Sequence, residues 1–135
     1  MDQITFLTQI IAPAFASGLV MTLALIAVAA PLGFLLGCAV AVGRAYGSPP
    51  VRFVSRGFVI FCKGCPLLLL LFILYFGMPS IGIMLAPFVA SVIGFVCCNS
   101  AYNSEYIRGA IHSIKDGQMT AAQALGMSKW QAIRW

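Results

Sequence analysis

Apolar positions fall into long blocks separated by short segments rich in arginine, glycine and proline. No charged residue stands between Gln3 and Gly43, and the densest apolar run covers residues 15–42. At about 1.5 Å per residue this run exceeds the ~30 Å hydrocarbon core of a bilayer, so it predicts one tilted spanning helix. A second uncharged block, Gly64 to Ser104, holds 41 residues. That is too many for one crossing and right for two of about 20 residues each. Gly77, Pro79, Gly82 and Pro87 mark the break between them. The pattern thus predicts an all-α protein with three transmembrane helices over about 15–42, 53–76 and 85–106, followed by a polar segment, 107–135.

Composition places these helices in a membrane. Of 135 residues, 61% are hydrophobic and 8% charged, against about 25% charged in soluble domains. The net charge of +5 comes from residues at the ends of the apolar blocks, where they set topology. No basic stripe interleaved with exposed aromatics is present, so no nucleic-acid partner is predicted. The N-terminus lacks the basic region of a cleaved signal sequence, and the first block is read as an uncleaved span. The segment Arg44–Arg56 is read as a loop, with Arg44, Arg52 and Arg56 and no acid around the breaker Gly47-Ser48-Pro49-Pro50. Segment 107–135 carries Arg108, Lys115, Lys129 and Arg134 against Asp116. Both basic segments belong on the cytoplasmic side, which places the N-terminus outside.

Within the polar segment, Asp116 is suited to cap a helix from about Gly117 to Leu125. Gly126 stands where a left-handed residue ends a helix, and Ser128-x-x-Gln131 has the form of a capping box. Two short helices joined at a glycine are predicted. Ala121, Ala122 and Ala124 make the first one small-sided, which suits either close docking by another protein or a plain surface helix of good helix formers.

Several residues inside the spans carry chemistry. Asn99, Tyr102, Asn103 and Tyr106 share one helix face by spacing and either line a polar pathway or bond between helices. Glu105 precedes Arg108 by three residues, which predicts a local ion pair; packing against further helices or substrate contact is the alternative. Lys63 is expected to snorkel toward the interface or to be buried against a partner, with substrate contact as the alternative. Gly33 and Gly37 form a G-x-x-x-G pair that permits close helix approach. Cys38, Cys62, Cys65, Cys97 and Cys98 read as small buried hydrophobes. The Cys62–Cys65 C-x-x-C leaves a second function class open, a small membrane thiol oxidoreductase. No metal site is predicted, because His112 lies far along the chain.

The chain resembles the permease subunits of polar amino-acid ABC importers, the histidine, glutamine and arginine type. The resemblance rests on Asn99 to Ile111, on Ser113-Ile114-Lys115-Asp116-Gly117-Gln118, and on Thr120-Ala121-Ala122-x-x-x-Gly126-Met127-Ser128, which is similar to the family's EAA loop. Upstream, Lys63-Gly64-Cys65-Pro66-Leu67-Leu68 is similar to Arg-Gly-Thr-Pro-Leu-Leu, and Tyr75-Phe76-Gly77-Met78-Pro79 to Tyr-Phe-Gly-Leu-Pro. Departures are Thr120 for the family Glu, and Lys63 and Cys65 for Arg and Thr.

The resemblance implies a transporter subunit, not an enzyme, in a prokaryotic inner membrane, crossing it several times and carrying no cofactor. It implies Thr120, Ala121, Ala122 and Gly126 as the contact for an ATP-binding-cassette ATPase subunit, with Asn99, Tyr102 and Asn103 as candidates for the substrate pathway. Further implied partners are a second permease subunit, identical or not, and an extracytoplasmic amino-acid-binding protein. It also implies that 135 residues correspond to the N-terminal part of a permease whose core normally has five helices, so a nonfunctional permease fragment is a further alternative.

Overall fold

The computed structural model describes residue 4 and residues 7–113 and 116–134, without the side chains of His112, Asp116 and Ile133. Helix α1 spans Ala12–Tyr46 and is preceded by a π-helical turn, Leu7–Ile11. Its 35 residues measure about 52 Å at the standard rise, and Pro31 is accommodated without a break. Helix α2 is Pro49–Gly64 and α3 is Leu67–Phe72. A π turn, Ile73–Gly77, and a 3-10 turn, Met78–Ile81, lead outward to Gly82, whose φ of 85° ends the segment in a left-handed conformation. Helix α4 is Pro87–Ser113, α5 is Asp116–Ala124 and α6 is Lys129–Arg134.

The fold is organised on the α1–α4 interface, the most extensive in the chain. On α1 the buried positions are Ala29, Gly33, Gly37 and Ala41, a stripe with a four-residue repeat that lies along one helix face. Asn99 and Asn103 of α4 seat on it. A β-carbon added to Gly33 would lie 2.9 Å from Asn99 Cβ, and one added to Gly37 would lie 2.7 Å from Asn103 Cβ. The glycines therefore set the helix separation. Buried Ser100 and Ser104 satisfy their hydroxyls on their own helix, donating at 2.8 Å to the carbonyls of Cys97 and Ala101. Val59 and Cys62 of α2 pack on Ala101, with Val40, Phe58 and Cys97 around them. The bundle turns large apolar side chains such as Phe15, Phe34, Leu35 and Phe53 outward, as a lipid-facing surface requires.

Three expectations change. The segment Arg44–Arg56 is not a loop: α1 runs through Arg44 to Tyr46, only Gly47 and Ser48 separate it from α2, and Arg52 and Arg56 are helical. The breaker acts at the expected place, but Pro49 then opens the next helix at its first position, where a missing N–H costs nothing. The second span is not one helix over 53–76. It breaks at Cys65 and Pro66, and the two arms are bent by 102°. Pro66 has no N–H to continue the ladder and holds Cys65 extended (φ −88°, ψ 122°). The last span does not end at Tyr106 but continues as helix to Ser113.

The segment Leu7–Tyr46 is long and apolar enough to cross a membrane, and α2 together with Leu67–Ile81 is so as a broken pair. Helix α4 exceeds the membrane thickness in length, at about 40 Å, but carries polar residues from Asn99 to Glu105.

Candidate functional site

The segment after α4 folds as predicted, and its ends are fixed by backbone chemistry. Helix α5 closes on Gly126, which has a φ of 84°. The Gly126 N–H donates to the Gln123 carbonyl at 3.0 Å and the Met127 N–H to the Ala122 carbonyl at 3.1 Å. This pair of bonds is the Schellman arrangement, which satisfies carbonyls left open at a helix end. Nothing lies within 4 Å of a β-carbon built on Gly126, so glycine is required there by the backbone angle and not by crowding. The capping box is closed in both directions: Ser128 N–H donates to Gln131 Oε1 at 2.8 Å, and Gln131 N–H donates to Ser128 Oγ at 3.3 Å. Helix α5 begins at Asp116 itself; the predicted cap by its carboxylate lies outside the described residues.

The hairpin is exposed. Thr120, Ala121 and Gly126 face outward and Ala122 is half-buried. It is tied to the bundle by Lys129, whose Nζ lies 4.8 Å from the centroid of the Tyr46 ring at the end of α1. Leu125 and Trp130, 82% and 67% exposed, flank the glycine turn. The turn thus presents apolar and small side chains together on a free surface.

The polar residues of α4 divide between two neighbours. Asn103 Nδ2 donates to Asn99 Oδ1 at 2.7 Å, a bond within one helix and not between two. Both side chains lie against the glycine stripe, and Asn99 also borders a cavity of about 520 Å³ lined by Thr22, Ala29 and Phe95. Tyr102 is turned away, with Lys63 Nζ 5.7 Å from its ring centroid. Lys63 stands at the end of α2 and is exposed. Sequence reasoning placed all four polar residues on one face; the structure brings Asn99 and Asn103 together and sets Tyr102 and Tyr106 apart and exposed.

The predicted local pair of Glu105 and Arg108 is present but secondary. Arg108 Nε and Nη2 donate to Glu105 Oε2 at 3.2 and 3.1 Å. Arg44 Nη1 donates to the other oxygen at 2.9 Å, and this side chain is only 11% exposed. The carboxylate therefore clamps the end of α1 to α4. The sequence carried one signal for it: Glu105 is the lone acid of the helix core facing an excess of arginines.

The structure gives the C-x-x-C the surroundings of packing thiols. Cys62 is buried, Cys65 is half-buried, and all five thiols are free. Both sit at the C-terminal end of α2, whereas a reactive dithiol needs an accessible thiol near positive charge or a helix N-terminus. Cys98 Sγ makes a weak contact to the Cys62 carbonyl at 3.8 Å, in keeping with packing thiols.

This helical bundle with its capped hairpin is that of a transport permease. The chain matches the family described as binding-protein-dependent transport system inner membrane component over residues 29–134, and it belongs to that family. It is 39% identical over 102 residues to a probable amino-acid ABC transporter permease, YckA, of Bacillus subtilis strain 168, covering 76% of this chain and 45% of YckA. It is 39% identical over 100 residues to the probable glutamine ABC transporter permease GlnM of the same strain, covering 74% of this chain and 46% of GlnM. A glutamate/aspartate import permease, GltK of Escherichia coli O157:H7, is 33% identical over 130 residues, covering 90% and 58%. The fold superposes on the crystal structure of an amino acid ABC transporter with histidines at a TM-score of 0.85 and 33% identity, covering 99% of this chain and 62% of that one. The chain spans about half the length of the curated relatives it matches. Among its described residues the protein is all-helical, and by family it is an inner-membrane component of a binding-protein-dependent transport system.

Proposed function

We propose that the chain forms part of the membrane pathway of an ABC importer for amino acids, with the α5–α6 hairpin as the element an ATPase subunit engages. The observation that carries this reading is the glycine turn: a small-sided exposed helix ending in a Schellman motif, followed at once by a closed capping box. Both ends are built to hold one shape, which a docking element needs. The family and the transport roles that the relatives' names carry supply the context.

In this reading Thr120, Ala121, Ala122 and Gly126 meet the ATPase. Thr120 lacks the charge of the family Glu, and the exposed ion pair forgone is worth about 0–1 kcal/mol. ATP hydrolysis belongs to that partner, and this subunit supplies no catalytic group or cofactor. Closure of the ATPase pair favours one of two permease states by contacting the hairpin differently in each. The Lys129–Tyr46 contact gives that movement a direct route to α1. A second permease subunit completes the pathway, and an extracytoplasmic binding protein delivers the amino acid. Asn99, Tyr102 and Asn103 are the proposed pathway residues, Asn99 through the cavity it borders. The protein crosses the membrane three times in this stretch, by α1, by the bent α2–α3 segment and by α4, with the N-terminus outside. The arginines at one end of the bundle support that orientation.

The test is substrate-stimulated ATP hydrolysis by the assembled transporter. Ala122→Arg places a long cation on the docking face, and Gly126→Val strains the left-handed turn. Both abolish stimulated hydrolysis while membrane insertion persists, and Thr120→Glu leaves it unchanged or raises it. Wild-type hydrolysis in Ala122→Arg removes the hairpin as the coupling element.

A further inference from the structure

At the end of the bundle where α1, α2 and α4 meet, a cavity of about 320 Å³ is lined by four arginines, Arg44, Arg52, Arg56 and Arg108, and by Ala45. Four like charges this close repel one another, and a shared anion relieves that repulsion. The one carboxylate in contact with them among the described residues is Glu105, and its two oxygens are already taken by Arg44 and Arg108. Arg52 has a single long bond, Nη2 to the Gly47 carbonyl at 3.4 Å. Arg56 has no hydrogen-bond or ion-pair partner among the described residues. Arg44 is about nine-tenths buried, with Nη1 held by Glu105 and Nε sealed inside the protein. A largely buried guanidinium fixed in the cavity wall keeps a charge that water screens poorly.

We propose that this cavity binds a phosphate-class anion, and that in the membrane the anion is the headgroup of an acidic phospholipid. Planar guanidinium forks match phosphate oxygens with paired N–H donors. The volume suits a phosphodiester headgroup. The lipid source is favoured by what surrounds the site. Helix α2 carries Arg52 and Arg56 one turn apart, while Phe53, Val54, Ile60 and Phe61 point outward on its apolar side. A basic stripe beside an exposed apolar face is the arrangement that sits at a membrane interface. Acyl chains then run along exposed α2 while the headgroup enters the arginine cavity. The same two arginines lie four residues apart, a repulsive spacing on a bare helix that an intervening phosphate turns to advantage. The site does not depend on the coupling role proposed for the hairpin, and its test reads binding alone.

The chain, purified in neutral detergent, is titrated with dioleoyl phosphatidylglycerol and with dioleoyl phosphatidylcholine, whose ammonium cancels the phosphate charge. Inorganic phosphate is titrated separately, and bound species are counted by native mass spectrometry. One phosphatidylglycerol per chain is expected, preferred at least about tenfold over phosphatidylcholine. Arg52→Gln with Arg56→Gln lowers that affinity about thirtyfold, and Arg134→Gln, outside the cavity, leaves it unchanged. Circular dichroism confirms that the exposed-site double variant keeps its helices, and Arg52→Lys with Arg56→Lys restores part of the affinity. Phosphate that binds alone, with no phosphatidylglycerol preference, assigns the site to a free anion and overturns the lipid source. Equal retention of both lipids with no phosphate bound, or an unaltered double variant, overturns the proposal and leaves the cluster to an acidic protein partner.

Discussion

Lys129 holds its ammonium 4.8 Å from the centroid of the Tyr46 ring, so the second helix of the hairpin rests on the last residue of α1. The contact joins residues 83 positions apart and ties the hairpin to the end of α1. A cation–π pair at an exposed position is worth about 0.5–1 kcal/mol. Tyr46→Leu is therefore expected to speed amide exchange over residues 116–134 about two- to fivefold, while Tyr46→Phe, which keeps the aromatic face, stays near wild type. Hydrogen exchange followed by mass spectrometry decides it; equal rates in all three proteins show that the hairpin is held by other means.

Glu105→Gln removes the charge that Arg44 and Arg108 share. Arg44 is left largely buried beside a neutral amide, at a cost of about 1–3 kcal/mol. Arg108→Gln costs less, under about 1 kcal/mol, because Arg108 is the more exposed partner. Thermal unfolding in detergent ranks the two. The clamp is not a stabilising element if both variants melt with the wild type.

Gly33→Ala and Gly37→Ala each drive a methyl into an asparagine Cβ, an atom that cannot swing aside. Overpacking of this kind costs about 1–3 kcal/mol. Gly18→Ala, on the same helix, has nothing within 4 Å and is neutral or slightly stabilising, since alanine is the better helix former. The same melting measurement applies, and a stable Gly37→Ala contradicts the close α1–α4 approach.

In a cysteine-free background, Ser48→Cys and Ser80→Cys report the proposed sidedness. Both positions are exposed. A membrane-impermeant maleimide added to intact cells labels the residue at 80 and spares that at 48. Labelling in the reverse order inverts the topology and removes the hairpin from the compartment that holds ATP.

Much of the fold was legible in sequence because bilayer thickness and capping are local constraints. A run without charge from Gln3 to Gly43 has few ways to be satisfied other than a spanning helix. Gly126, and Ser128 with Gln131, act through backbone groups within five residues, so their spacing alone predicts the turn and the box that are observed. Pro66 is equally local: it falls within the stretch similar to Arg-Gly-Thr-Pro-Leu-Leu and also ends α2, a break that the expectation of one helix over 53–76 leaves out.

What sequence by itself determined, then, is what neighbours along the chain decide: helix content, the place of α1, the glycine-ended hairpin and the membrane as solvent. Only the tertiary structure decided which polar residue meets which. Glu105 has a suitable cation three residues away, and nothing local reveals that Arg44, 61 positions earlier, makes the shorter bond. Asn99 and Asn103 read as pathway or interhelical groups until the packing of α4 on Gly33 and Gly37 places them. The four arginines are scattered from 44 to 108 and converge only when three helices meet. Such pairings depend on how ridges of one helix fill the grooves of another, a property of two surfaces that neither helix carries in its own sequence.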